Sequence, residues 1–177
     1  MSDKILNIGI IGAGRIGRLH AENIVSCYRN VKLKSVSDLY YENLRDWADS
    51  LGIENLTGNY GDILDDPEID AVLVCSPTDT HARISIEAAD AGKHVFCEKP
   101  VDMDPDRIRE VLKHVEKAGV VFQVGFNRRF DRNFRKAYNT VREGKVGDIH
   151  IIRITSRDPA PPTPEYIKVS GGIFMDM

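Results

Sequence analysis

The sequence predicts an α/β fold in which a doubly wound parallel sheet carries helices on both faces. Short apolar runs alternate with longer amphipathic segments over residues 1–124, which is the pattern of repeated β-α units. The run AVLVC at 71–75 is apolar throughout, as in a strand that is buried on both faces. Glycines follow the helical segments, in the position where a left-handed residue ends a helix. We therefore expect parallel strands joined by right-handed crossovers.

The first strand is predicted at 5–11, a short run rich in isoleucine that ends at a glycine. Residues 16–28 have apolar side chains at helical spacing and predict the first helix. The alternation of apolar and polar residues at 31–37 predicts the second strand. Residues 41–51 predict another helix, and 55–60 hold at most a short third strand.

A helical turn at 62–64 precedes the buried strand at 71–75. A helix follows at 80–91, and a further short strand is predicted at 94–97. These units continue the alternation of strand and helix.

The helix predicted at 105–118 has a proline at its first position and Asp104 as its N-cap, both of which favour a helix start. Gly119 ends it, and 120–124 predict the sixth strand. Residues 1–124 are therefore expected to form one domain.

The pattern changes after Gly125. Residues 131–142 predict an arginine-rich helix, and the alternation at 148–156 predicts a strand with one face in water. The four prolines of 158–164 predict a loop. Because one strand without partners is not stable, we expect 125–177 to be the truncated start of a second domain that continues beyond this chain.

Composition excludes several classes of protein. The chain has 177 residues, with 24 Lys and Arg against 27 Asp and Glu, so its formal charge is −3. This balance offers no basic surface to nucleic acid or an anionic membrane, and no run approaches the ~18 apolar residues of a membrane span. The run after Lys4 is too short for a signal peptide, and Asn7 and Gly9 interrupt its apolar residues. Three cysteines without C-x-x-C spacing fit a reducing compartment, so we expect a cytoplasmic protein without nucleic-acid or membrane partners.

The segment GAGRIG at 12–17 has the pattern G-x-G-x-x-G between a predicted strand and a predicted helix, which is the context of a Rossmann-type dinucleotide site. Gly12 permits the tight turn, Gly14 lets the backbone approach a diphosphate, and Gly17 lets helix and strand pack closely. The helix N-terminus supplies N–H groups and partial positive charge. The expected diphosphate-binding residues are Gly12, Ala13, Gly14, Arg15, Ile16 and Gly17. The alternative is a glycine-rich turn without a ligand.

Asp38 ends the second predicted strand, where an acidic residue accepts hydrogen bonds from the adenosine ribose hydroxyls. Its carboxylate would repel a 2′-phosphate, and no arginine follows in Leu39 or Tyr40. We therefore expect NAD rather than NADP. The alternative is a solvated aspartate in a turn.

A polar cluster follows the buried strand, at the carboxyl edge where open α/β sheets bind ligands. Ser76, Pro77 and Thr78 are expected to contact a cofactor ribose or phosphate. His81 is a further cofactor candidate near the start of a helix. A capping or packing role is the alternative for His81.

Glu98 and Lys99 follow the strand at 94–97, beside a proline. Partial burial lowers the pKa of a lysine, and such a lysine can polarise a hydroxyl group or move its proton. A solvated surface lysine is the alternative. His81, His94, Cys75 and Cys97 could gather near adjacent strand ends, but no pair of them has the spacing of metal ligands, so we expect no metal.

These segments resemble the Gfo/Idh/MocA oxidoreductases and, within that family, the inositol 2-dehydrogenases. The resemblance rests on GAGRIG, Asp38, IDAVLVCSPTDTHA, HVFCEKP, QVGFNRRFD and SRDPAPPTPEYIKVSGGIFMDM. It implies a two-domain enzyme that oxidises myo-inositol to a keto-inositol with NAD. It also implies that 125–177 are the start of an α+β substrate domain, and that the protein is a homotetramer joined through the sheet of that domain.

The resemblance further implies roles for single residues. Lys99 is expected beside the nicotinamide and the substrate, and Glu98 and Asn127 among the cofactor contacts. Asp176 is expected to orient a proton-accepting histidine that lies just beyond this sequence. Arg128 and Asp158, together with Lys99 and Asp176, are expected to contact the polyol.

Two alternatives stay open. One is a dehydrogenase of another sugar or polyol in the same family, and the other is a non-catalytic NAD-binding module that senses redox state or docks to a partner. Because members of the family are longer than this chain, we expect the chain alone to bind NAD with little or no turnover.

Overall fold

The computed structural model describes residues 5–157, 160–162, 164 and 167. Within them, six parallel strands form one sheet in the order β3-β2-β1-β4-β5-β6. The strands are β1 (Leu6–Ile11), β2 (Val31–Ser37), β3 (Asn55–Thr57), β4 (Ala71–Val74), β5 (His94–Cys97) and β6 (Phe122–Val124). This is the strand order of the doubly wound Rossmann fold, and it confirms the predicted fold class.

Helices connect these strands and continue after them. They are α1 (Arg15–Cys27), α2 (Arg45–Ser50), α3 (Gly61–Leu64), α4 (Thr78–Asp90), α5 (Pro105–Ala118) and α6 (Arg132–Arg142). The helix predicted at 41–51 is divided into a 3₁₀ turn at Tyr41–Leu44 and the short α2. A second 3₁₀ turn, Asn127–Arg129, precedes α6.

The sheet has an apolar core on each face. Leu73 of β4 belongs to one core, whereas its neighbours Val72 and Val74 belong to the other. The uninterrupted apolar run predicted a strand of this kind, because both faces of a central parallel strand are covered. Ile10 and Ile11 divide in the same way at the end of β1. The end of β1 and the whole of β4 are therefore fixed from both sides.

The ends of α5 follow the predicted capping signals. The Asp104 carboxylate accepts a hydrogen bond from the Asp106 N–H at 2.9 Å, and Pro105 is the first helical residue. Gly119 takes the left-handed conformation at φ 67° and ends the helix. Val111, fully buried, anchors the inward face of α5.

The strand predicted at 148–156 is wrong. These residues have no strand structure, and all of them are exposed. A strand needs a hydrogen-bonded neighbour, and the described part of the chain provides none here. α6 matches the helix predicted at 131–142, but it buries no residue. None of the helices in the described ranges has the length and apolar character that a bilayer crossing requires.

Candidate functional site

The carboxyl ends of the parallel strands bring most of the predicted site residues to one edge of the sheet. Gly12 follows β1, Asp38 follows β2 and Glu98 follows β5. Ser76 comes two residues after β4, the neighbour of β1 in the sheet. The chain leaves β1 toward one side of the sheet and β4 toward the other, and a crevice opens where the strand order reverses in this way.

The three glycines of the loop meet different demands. Gly12 has φ +94°, and a Cβ there would lie 2.5 Å from the Ser76 backbone nitrogen. A Cβ on Gly17 would lie 1.9 Å from the Gly12 carbonyl oxygen. A Cβ on Gly14 would meet nothing within 4 Å, although Gly14 is the N-cap of α1 and no side chain caps that helix. Gly12 and Gly17 thus serve the fold itself, whereas Gly14 leaves open space at a helix N-terminus, as a bound diphosphate requires.

Asp38 is bound directly to the glycine loop. Its Oδ2 accepts a hydrogen bond from the Ala13 N–H at 2.7 Å, and its Oδ1 accepts one from the Tyr40 N–H at 2.9 Å. The Gly12 N–H in turn donates to the Ser37 carbonyl at 2.8 Å. Each carboxylate oxygen keeps a further lone pair, so Asp38 can fix the loop and still accept hydrogen bonds from ribose hydroxyls.

A cavity of about 720 Å³ extends between the glycine loop and the loop after β4, a volume within the usual range of small-molecule sites. Among the residues that line it, six were predicted from the sequence as site residues: Gly12, Ala13, Gly14, Asp38, Ser76 and Pro77. Thr78 lies at the first position of α4, and Arg15 and Ile16 form the first turn of α1. The Ser76 and Thr80 hydroxyl oxygens lie 2.6 Å apart at the rim of this cavity.

Arg18, Tyr60 and Arg83 are among the residues that line this cavity but were not predicted from the sequence. The Arg18 side chain donates to the Ala13 carbonyl at 3.1 Å and lies over the Trp47 ring. Tyr60 donates to a Glu87 carboxylate oxygen at 2.7 Å, and the Arg83 guanidinium lies over the Tyr60 ring. Burial raises the pKa of Tyr60 above its ordinary value, and the hydrogen bond to Glu87 has a smaller effect in the same direction. Apart from the hydrogen bond between Arg18 and Ala13, these contacts join distant segments, so no local sequence pattern predicts them.

His81 lies behind the site. It is 2% exposed, and its ring nitrogens lie 2.7 Å from the Pro100 carbonyl and 2.8 Å from the Ser76 carbonyl. Its ring therefore ties the loop after β4 to the loop after β5. This geometry favours the packing alternative over direct cofactor contact.

Glu98 is held by His20, from α1, and by the backbone of the next residue, Lys99. Its Oε1 lies 2.8 Å from His20 Nε2, and its Oε2 accepts the Lys99 N–H at 3.3 Å. Burial by itself raises the pKa of Glu98. The hydrogen bond and charge of His20, together with the contacts of Lys99, lower it by a larger amount. The pKa of Glu98 therefore lies below its ordinary value. The Lys99–Pro100 peptide bond is cis.

Lys99 lines a second cavity, of about 830 Å³. The other lining residues are Phe126, Asn127, Arg128, Arg129, Phe130, Asp131 and Phe134. The Arg128 guanidinium lies 5.1 Å from the centre of the Phe134 ring. The structure thus brings together Lys99, Asn127 and Arg128 in a cationic, hydrogen-bonding wall suited to a ligand rich in oxygen atoms.

Two cysteine thiols, Cys75 and Cys97, lie near this edge of the sheet. Burial raises the pKa of Cys75, and it raises the pKa of Cys97 to about 12, so both thiols stay protonated. The described residues contain no group of three or more His, Cys, Asp or Glu side chains placed to hold a metal ion. Asp158 and Asp176 lie outside the described residues.

Comparison with known proteins adds independent information. The Gfo/Idh/MocA family model, described as an oxidoreductase family with an NAD-binding Rossmann fold, matches residues 6–126. An uncharacterized oxidoreductase of Bacillus subtilis is 53% identical over 98% of this chain and 51% of its own length. A myo-inositol 2-dehydrogenase of Thermotoga maritima is 47% identical over 97% of this chain and 51% of its own length.

A solved structure is similar as well. The scyllo-inositol dehydrogenase of Lactobacillus casei, crystallised with NAD(H) and scyllo-inositol, superposes with a TM-score of 0.78 at 36% identity. The superposition covers 82% of this chain and 43% of that one. The chain spans about half the length of the curated relatives it matches.

Proposed function

The chain belongs to the Gfo/Idh/MocA oxidoreductase family with its NAD-binding Rossmann fold, and we propose that it is the cofactor-binding part of an NAD-dependent inositol dehydrogenase. One observation carries the proposal. Asp38, fixed to the glycine loop, and Lys99, in the wall of a cationic cavity, lie at the same edge of one sheet. This edge can hold a dinucleotide at one end and present a lysine to a polyol at the other.

The adenosine end of the cofactor is assigned to the cavity beside the glycine loop. The open space at Gly14 and the N-terminus of α1 fit a diphosphate. Asp38 then accepts hydrogen bonds from the ribose hydroxyls, and its charge disfavours a 2′-phosphate. Ser76 and Pro77 line the same cavity. When bound, NAD supplies a nicotinamide ring that accepts a hydride.

The substrate end is assigned to the cavity lined by Lys99. An ammonium group there donates a hydrogen bond to the reacting hydroxyl and stabilises the oxyanion that develops as its proton leaves. Asn127 and Arg128 line the same cavity and are proposed to orient cofactor and polyol. Asp158 and Asp176 are proposed substrate contacts on the strength of the resemblance alone, with Asp176 orienting a histidine that accepts the proton.

Three further proposals concern the domains, the assembly and the location of the whole protein. We assign residues 1–124 to the cofactor domain and 125–177 to the start of a substrate and oligomerisation domain. The full-length parent is proposed to be a cytoplasmic homotetramer. The three cysteines support a reducing compartment, since Cys27, Cys75 and Cys97 are all thiols.

The first test is a binding titration of this chain with NADH and NADPH, followed by cofactor fluorescence. We expect NADH to bind at least about tenfold more tightly, because Asp38 repels the 2′-phosphate. Asp38→Asn keeps an oxygen for the Ala13 N–H but loses the charge, so the preference for NADH should fall. Asp49→Asn, which changes an exposed carboxylate on α2, is the matched control.

Two outcomes contradict the proposal. Equal affinity for NADH and NADPH would remove the role given to Asp38. If the unmodified chain bound neither cofactor, its assignment as the cofactor-binding part would be contradicted. In separate samples with myo-inositol and NAD we expect little or no NADH formation by this chain, because it spans about half the length of the inositol dehydrogenases that it matches.

A further inference from the structure

We propose that His20 is a positioning residue for Lys99: His20 holds the Glu98 carboxylate, and that carboxylate holds the backbone of Lys99. The inference rests on the proposed function, because it concerns the lysine assigned to the substrate end. No local motif points to His20, which lies 78 residues from Glu98 in the sequence. It lies in α1, the helix that begins at the glycine loop.

The contacts form a chain from one end of the proposed site to the other. Nε2 of His20 lies 2.8 Å from Oε1 of Glu98, and these side chains are only 27% and 20% exposed. The other carboxylate oxygen accepts the Lys99 N–H at 3.3 Å. A single carboxylate therefore joins the helix at the diphosphate loop to the lysine at the substrate cavity. A carboxylate held by two donors has little freedom to move.

The surroundings of the pair leave it few alternatives. The His20 ring meets the Phe96 ring edge to face, with centroids 5.3 Å apart, so its orientation is fixed by β5. On the other side, a Cβ on Gly125 would lie 3.1 Å from Oε2 of Glu98 and 3.1 Å from Phe96. Glycine at 125 therefore leaves the space that the carboxylate fills.

The Glu98 side chain is a carboxylate in this pair. Burial raises the pKa of the Glu98 carboxyl, but His20 and Lys99 together lower it to below its ordinary value. Glu98 is therefore ionised at neutral pH, and it meets His20 and the Lys99 N–H as a carboxylate. His20 and Glu98 line neither of the two cavities, so both act through Lys99 rather than on a ligand.

The test compares two ligands that differ at the nicotinamide end. NADH reaches from Asp38 to Lys99 in the proposed site, whereas ADP-ribose lacks nicotinamide and so does not reach the lysine. His20→Leu removes the contact to Glu98, and His20→Gln keeps an N–H donor. His114→Leu is the matched control, because His114 pairs with Asp90 at 2.8 Å on α5.

We expect His20→Leu to weaken NADH binding about tenfold and ADP-ribose binding less than twofold. His20→Gln should remain within about threefold of the unmodified chain for both ligands. His114→Leu should bind both as the unmodified chain does. Titration calorimetry gives the affinities, and the fluorescence of Trp47 checks that each variant is folded.

Equal losses for both ligands, or no loss of NADH affinity, in a folded His20→Leu variant would overturn the inference. If that variant does not fold, Glu98→Gln takes its place, since it keeps the shape and removes the charge; the same split between ligands is expected. Failure of the proposed function gives a different result, because the unmodified chain itself then binds neither ligand.

Discussion

α5 and α6 share two features of sequence but differ in how far they are buried within the described residues. Both are amphipathic, and each begins at an aspartate whose side chain accepts hydrogen bonds from the first turn. α5 packs against α4 and buries Val111 completely. α6 buries no residue, and its aromatic side chains Phe134 and Tyr138 are 49% and 61% exposed. An amphipathic pattern therefore specifies that a helix has an apolar face, but it does not supply the surface that covers the face.

The same contrast separates the two parts of the described chain. Residues 6–124 are joined by parallel pairing between strands that are distant in sequence, and both faces of the sheet are covered. The contacts of α6 within the described residues are mainly with the 3₁₀ turn before it. The first part can unfold as one cooperative unit, whereas the second part adds little to that transition.

The largest expected effect is a difference between two truncations. Ile63→Ala removes a side chain that is fully buried beneath Gly9, and it should lower the free energy of unfolding by about 2–5 kcal/mol. Phe134→Ala truncates an exposed ring and should change it by less than about 0.5 kcal/mol. Urea unfolding followed by Trp47 fluorescence measures both, because Trp47 is the only tryptophan and packs against the core of the first part.

Equal effects of the two truncations would mean that α6 is part of the cooperative unit after all. Leu112→Ala on α5, a half-exposed leucine next to Val111, is the control for a large side chain removed from the outer side of a packed helix. Its effect should lie between those of the other two variants.

The fold could be predicted from the sequence because its signals are local and agree with one another. The run AVLVC indicated a two-faced strand, and Asp104 with Gly119 indicated both ends of α5. The strand predicted at 148–156 could not be judged in this way. Alternation describes how a strand would use its two faces, but a strand also needs a neighbour, and alternation says nothing about whether the chain provides one.

The candidate site divides along the same line. The glycine loop and Asp38 lie within one β-α-β unit, so spacing alone could point to them. The spacing did not reveal that Asp38 also holds the Ala13 N–H. His20 and Arg83 went unnoticed because their partners are distant in sequence. A polar side chain within two turns of the glycine loop is the one local signal that could have drawn attention to His20.

A smaller effect is expected from the two N-caps. Asp104→Ala removes the acceptor of the Asp106 N–H and should lower the free energy of unfolding by about 1 kcal/mol. Asp131→Ala removes the acceptor of the Asn133 and Phe134 N–H groups at the start of α6. It should leave the transition seen by Trp47 unchanged.

Circular dichroism completes this comparison, since α6 without its cap should lose helical signal before the main transition. A common shift of the main transition in both variants would show that α6 unfolds together with the sheet. Conservative replacement by asparagine, itself a good N-cap, should restore most of the stability lost in Asp104→Ala.

The smallest effect is expected at Glu98. Its carboxylate lies beside Gly125, the residue that follows the last strand of the sheet. The folded state lowers the pKa of Glu98 below its ordinary value of 4.5, so the unfolded chain takes up the proton more readily. The stabilisation is complete above pH 4.5 and is lost as the pH falls toward the folded-state pKa. Because the pair is partly exposed, we expect the advantage over Glu98→Gln at pH 5.5 to be under about 1 kcal/mol and to shrink by pH 3.5. Glu143→Gln, which removes the partner of Lys145 just after α6, should show no such dependence, and a gap for Glu98→Gln that widened on acidification would contradict the assigned sign.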